Sequence, residues 1–270
     1  MTALLIGLLA GAHTSSWGMY KDAPHEGFTI PKYLRSIVVA GLIAVALQWA
    51  TGLALDTAAH AAVFFGMVYA LERAAMELWK GFIREEDQSK YFIPMQFGVK
   101  GKPVQSRAVR WSVMVVLVAA LSALVYGIFA LQRADPGIPT WLVLLAFGSL
   151  GGWLSAFGGA WKDAPVEGFE TLKFFRSPAI ALFWSVVMAH FSDVWVYVGL
   201  AGIGYTVATI ETYKTFFFPN KPRGKFAGKP VLFPEMLERR RRVVLPYAAI
   251  WAVVLTLIVL GLLGPRQGLL

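Results

Sequence analysis

The chain contains no cysteine, which excludes structural disulfides, thiolate metal sites, iron–sulfur clusters and cysteine nucleophiles. It is also poor in charge. Asp, Glu, Lys and Arg make up 15% of its 270 residues, where a soluble domain carries about 25%. Disordered, collagen-like, coiled-coil and water-soluble globular classes are excluded together. The H-E-x-x-H, G-x-S-x-G, Walker and G-x-G-x-x-G patterns are missing, so no signature decides whether the chain is an enzyme or names a cofactor. What is present is apolar: 57% of residues, with a mean hydropathy of +0.59. The expected class is an all-α integral membrane protein.

A hydrocarbon core of about 30 Å needs roughly 20 apolar residues in a helix. Eight stretches approach that: residues 2–20, 36–55, 58–79, 111–131, 138–161, 177–191, 194–213 and 243–263. Period-2 alternation is absent, so helices rather than barrel strands are expected. Lys and Arg assign the sides. The connections after spans 1, 3, 5 and 7 hold 3, 7, 3 and 9 of them, Arg223 in the last. The opposite side holds only Arg133 and Arg266, and span 3 holds Arg73. The positive-inside rule makes the rich side cytoplasmic, which predicts a multi-pass inner-membrane protein with both termini outside. The first span lacks a positive n-region and reads as retained rather than as a signal peptide. This bias, with attraction to anionic lipid headgroups, accounts for the net charge of +9. Membrane lipids are the expected partners. No motif accompanies the basic loops to suggest nucleic acid, and a homo-oligomer is left open.

The chain repeats itself. WGMYKDAPHEGFTIPKYLRS, residues 17–36, aligns without gaps on GGAWKDAPVEGFETLKFFRS, residues 158–177, with 11 of 20 positions identical. The same offset of 141 pairs Gly7 with Gly148 and Gly11 with Gly152, a G-x-x-x-G in each copy. At an offset of 134, Glu77, Trp79 and Lys80 meet Glu211, Tyr213 and Lys214; at 127, residues 101–104 (GKPV) meet 228–231. Two four-helix halves are expected, residues 1–134 and 135–270. An even number of spans per half gives both the same orientation, related by a pseudo-twofold axis along the membrane normal. The glycine ridges should let the first helix of each half approach a neighbour closely.

The residues shared by the two copies carry charge: Lys21/Lys162, Asp22/Asp163, Glu26/Glu167, Lys32/Lys173 and Arg35/Arg176, with Ser36/Ser177. Pro24 and Pro165 are expected to end the first helix of each half, and Gly27 and Gly168 to turn the chain. The next helices should start near residues 29–32 and 170–173. Lys32 and Arg35, three apart, then share a face of the first turns, as do Lys173 and Arg176. Two cations at a helix N-terminus, with a serine hydroxyl, suit an anion such as phosphate or a lipid headgroup. Asp22, Glu26, Asp163 and Glu167 could pair with those cations, or hold a divalent metal bridging phosphates. Glu77 and Glu211 are natural further carboxylates. A plainer reading stands beside this one: salt-bridged loops that follow the positive-inside rule, bordered by an aromatic belt.

Glu72 and Arg73 lie within span 3, whereas Thr206 and Val207 stand at the matching places in the second half. Ionisable groups at that depth are costly and usually face the bundle interior; Arg73 and Glu77, spaced i, i+4, are expected to neutralise each other. Substrate or proton coupling at Glu72 would make the chain a transporter or channel working at the repeat interface. A structural subunit without a ligand is the third class. None of His13, His25, His60 and His190 is repeated; only His60 and His190 share a depth suited to haem or metal, and no metal site is expected. Gly27…Lys32-x-x-Arg35-Ser36 resembles, over ten residues, the Gly, Lys and Arg-Gly cluster of CTP-dependent lipid nucleotidyltransferases, with serine for the second glycine and without their Asp-rich metal segment. The function expected first is binding of an anionic, phosphate-bearing lipid or polar ligand at the duplicated motif.

Overall fold

A computed structural model describes residues 1–221 and 224–270; Arg223 lies outside the described residues. The protein is almost wholly helical, and the described residues add one two-residue β-hairpin, β1 (Gly98–Val99) with β2 (Lys102–Pro103). The helices are α1 (Thr2–Glu26), α2 (Ile30–Thr51), α3 (Ala58–Leu78), α4 (Arg107–Arg133), α5 (Thr140–Val143), α6 (Leu150–Glu167), α7 (Thr171–Met188), α8 (Trp195–Phe216), α9 (Met236–Arg239) and α10 (Val244–Leu263). A π-helical turn at Leu144–Gly148 joins α5 to α6, and another at Trp79–Ile83 extends α3. Among the described residues four helical stretches are long and apolar enough to cross a membrane: Ile30–Thr51, Arg107–Arg133, Thr140–Glu167 and Met236–Leu263.

Local chemistry explains where the helices start. Thr29 caps α2 by accepting from the Lys32 amide at 3.4 Å, and Pro31 occupies the first turn, where its missing N–H costs nothing. Thr57 caps α3 and Ser106 caps α4 in the same way. The prolines do not act as expected. Helices α1 and α6 run past Pro24 and Pro165 to Glu26 and Glu167, and end at Gly27 (φ 73°) and Gly168 (φ 85°). In a last turn a proline forfeits a single backbone bond. At Pro24 the orphaned acceptor, Tyr20 O, takes a bond from Arg240 Nη1 at 3.4 Å. The glycines end the helices because φ > 0 suits them alone.

Helix α3 forms the centre. Twelve of its residues from Ala59 to Glu72 are buried, and α1, α2, α8 and α10 pack around it. Helix α4 is the opposite case: only Arg110 and Ile128 are buried along it, and it leans on α8 and the turn after α3. The glycine ridges make the close approaches expected of them. A Cβ on Gly11 would lie 2.5 Å from Ser36 O and Ile37 Cα of α2; one on Gly152 would lie 2.6 Å from Ser177 O and Pro178 Cα of α7. The two contacts fall at corresponding sequence positions.

Because backbone cannot yield cheaply, Gly11→Ala and Gly152→Ala should each destabilise the protein by about 1–3 kcal/mol. Gly18→Ala, which meets nothing within 4 Å, should be neutral. Thermal unfolding followed by tryptophan fluorescence checks both.

Candidate functional site

The motif residues gather at the end of the bundle that carries the basic loops, where α1 turns into α2 and α6 into α7. Its lysines and carboxylates pair with one another. In the first copy Lys32 Nζ lies 3.4 Å from Glu26, while Lys225 Nζ from a distant loop reaches Asp22 at 2.9 Å and Glu26 at 2.7 Å. In the second copy Lys173 bridges Asp163 at 3.1 Å and also binds Glu167. Lys21 crosses between the halves to Glu211 at 2.8 Å, which Lys214 also approaches at 3.5 Å. Lys162 does not close the mirror pair with Glu77; its Nζ lies 3.4 Å from Met95 Sδ.

The arginines are left over. Among the described residues neither Arg35 nor Arg176 has a carboxylate within 4 Å, and the Nε of each is buried without a hydrogen-bond partner. Arg35 lies over the Trp79 ring at 4.5 Å, with Arg84 at 5.1 Å from the same ring. Two guanidinium groups thus share one aromatic ring.

Two cavities open beside the two copies. A polar one of about 130 Å³ is lined by Asp22, Glu26, Lys32, Arg35, Ser36, Arg73 and Arg84. A larger one of about 650 Å³ runs between α4, α6 and α8; its charged end holds Arg73, Glu77, Asp163, Glu170, Lys173, Arg176, Ser177, Glu211 and Lys214. Arg73 and Trp17 border both. The matched arginines therefore line different cavities. Lys162 and Glu167 border neither, and Lys21 lines a third of about 190 Å³.

Arg73 meets Glu77 as its spacing predicts, its Nη2 3.7 Å away, and its Nε also approaches Glu72 at 3.6 Å; both Glu72 carboxylate oxygens are buried without a hydrogen-bond partner among the described residues. Glu72 is fully buried and borders neither of the two motif cavities. His13 belongs to the core: it stacks on Tyr247 at 4.2 Å between ring centroids, and its Nδ1 lies 3.1 Å from the Tyr69 hydroxyl. His190 bonds its own helix at Val186 O.

Sequence reasoning passed over Lys225 and Arg84. Neither has a counterpart in the other half, and Lys225 lies some 200 residues from Glu26, so no local spacing announces it. Lys225 lines the first-copy cavity, and beside it His25 stacks on Phe226 at 4.6 Å and Tyr91 lies 5.5 Å from Phe226. No family model, curated protein or solved structure matches the chain.

Burial alone would raise the Glu26 carboxyl, but the charge and hydrogen bond of Lys225, aided by Lys32, outweigh it and hold the group at about 2, below its ordinary 4.5. A depressed carboxylate stabilises the fold above its unfolded pKa and loses that contribution as pH falls through the folded value. The unfolding-temperature advantage of wild type over Glu26→Gln should therefore hold steady above about pH 5 and shrink between about pH 4.5 and 2. In a Lys225→Met background it should be much smaller at every pH.

Proposed function

We propose that the protein is an eight-span inner-membrane protein built of two same-orientation halves. It binds an anionic, phosphate-bearing ligand at the cytoplasmic face through the twice-written motif. The observation that carries this reading is the pair Arg35 and Arg176. They occupy the same place in the repeat, both border cavities, and both lack the carboxylates that the motif's lysines have taken. A guanidinium offers five donors in a planar fork matched to phosphate. The internal pairing of the lysines agrees with the salt-bridged-loop reading for those residues alone.

Transport at the repeat interface has less support. Its coupling group, Glu72, lies 3.6 Å from Arg73 and borders neither of the two motif cavities. The matching contacts of Gly11 and Gly152 support the repeat itself.

Reconstituted into mixed bilayers, the wild-type protein should retain anionic over zwitterionic lipid. Arg176→Ala should cut that preference about tenfold, the worth of one good charge-assisted hydrogen bond, and Arg35→Ala should weaken binding of inorganic phosphate to the detergent-solubilised protein. Equal retention of both lipid classes by wild type and variants would reject the reading.

A further inference from the structure

The larger cavity has the shape of an amphiphile. Its lining on α6 extends from Leu150 to Ala164, about 21 Å at 1.5 Å per residue. Away from Arg176 the walls are apolar: Leu121, Leu124 and Val125 of α4, Leu154 of α6 and Ile203 of α8, with Phe147 and Trp195. At the other end three of the four bordering carboxylates are already held, Glu77 by Arg73 and Lys80, Asp163 by Lys173, Glu211 by Lys21 and Lys214; the fourth, Glu170 at the start of α7, has no ion pair among the described residues. Arg176 is the lining cation without one among the described residues.

The place beside the first copy is filled, in part by α10. There His13 stacks on Tyr247, Trp251 lies edge-on at 5.2 Å and Tyr69 closes the cluster. At the repeat offsets, His13 and Tyr69 correspond to Leu154 and Ile203. Aromatic side chains on one side thus stand where smaller aliphatic ones stand on the other, and the volume they would fill is the cavity. About 650 Å³ lies within the roughly 300–1,000 Å³ of small-molecule sites. The first-copy cavity, about 130 Å³ and polar, has room for a phosphate-sized group and none for a chain.

We infer that the second-copy cavity holds a phosphate-bearing membrane amphiphile, with one hydrocarbon chain between α4 and α6 and its phosphate on Arg176. This rests on the anion-binding reading of the motif, and adds that only the second copy takes a lipid. A chain gains little by leaving bulk lipid for a Leu-lined wall, since the two are equally apolar. The chain therefore fixes which molecules fit, and the guanidinium–phosphate contact in a low-dielectric setting supplies the preference. Ser177, beside Arg176 in the lining, adds a hydroxyl donor.

The test uses the full-length protein, delipidated in detergent and examined by native mass spectrometry with three probes: dioleoyl phosphatidylglycerol, glycerol 3-phosphate and dioleoylglycerol. Phosphatidylglycerol should bind one to one and about tenfold more tightly than dioleoylglycerol, and excess glycerol 3-phosphate should not displace it. Leu154→Trp and Val125→Trp, which fill the cavity from opposite walls, should each lower phosphatidylglycerol retention about tenfold. Val125 lies on the least-packed helix, so its variant folds even if Leu154→Trp does not. Arg176→Ala should bring phosphatidylglycerol down to the dioleoylglycerol level, while Arg35→Ala leaves it bound.

Displacement by glycerol 3-phosphate, or full retention by a folded Val125→Trp, would overturn the inference and leave the headgroup reading standing. Equal binding of phosphatidylglycerol and dioleoylglycerol, unchanged by Arg176→Ala, would overturn both.

Discussion

A carboxylate held near apolar surroundings must find a cation, and the choice of cation decides what charge remains available. In this protein the motif's acids take lysines: Lys32 and Lys225 in the first copy, Lys173 in the second. The lysine ammonium is a compact point charge on a flexible stem and can bridge two acids at once, as Lys173 and Lys225 do. The stiffer arginine fork on the next helical turn keeps its donors. Had Arg35 and Arg176 paired with Glu26 and Glu167, the loops would be neutral throughout and the cavities beside them would be mere packing gaps. Both cavities owe their chemistry to that sorting.

Packing sets the stage. Gly11 and Gly152 bring α1 onto α2 and α6 onto α7 at backbone distance, which fixes each loop and its arginine at the mouth of a cavity. The two sides then differ in how the outlying helix closes them. Helix α10 lies against α3 and α1, with Tyr247 and Trp251 meeting His13. Helix α4, aliphatic and barely buried, leaves about 650 Å³ open. The π-helical turn at Leu144–Gly148 adds to the asymmetry, since α1 has no such interruption; Phe147, at this turn, stacks on Trp195 at 5.5 Å and borders the same cavity.

Much of this was legible in the linear chain because it is local. Thr29, Pro31 and the apolar run that follows mark the start of α2 to within a residue, and the glycine ridges announce a close contact. The proline reading failed for a physical reason: a proline two residues from a helix end removes one bond, and Arg240 compensates at Tyr20 O. The motif was visible through its duplication, but its internal pairing was not. Lys225 comes to Asp22 and Glu26 from a loop some 200 residues away, and Arg73 holds Glu72 as well as Glu77. Cavities are the least legible feature of all. That Leu154 stands where His13 stands is plain in the alignment; that the exchange leaves a hollow depends on how α4 lies.

The most direct measurement is an electron-cryomicroscopy map of the protein in a lipid nanodisc containing phosphatidylglycerol. The account predicts density for a phosphate within hydrogen-bond distance of the Arg176 guanidinium, continuous with a chain running between α4 and α6 past Leu154. A map in which Arg176 pairs with a carboxylate and α4 closes onto α6 with no density between them would contradict it.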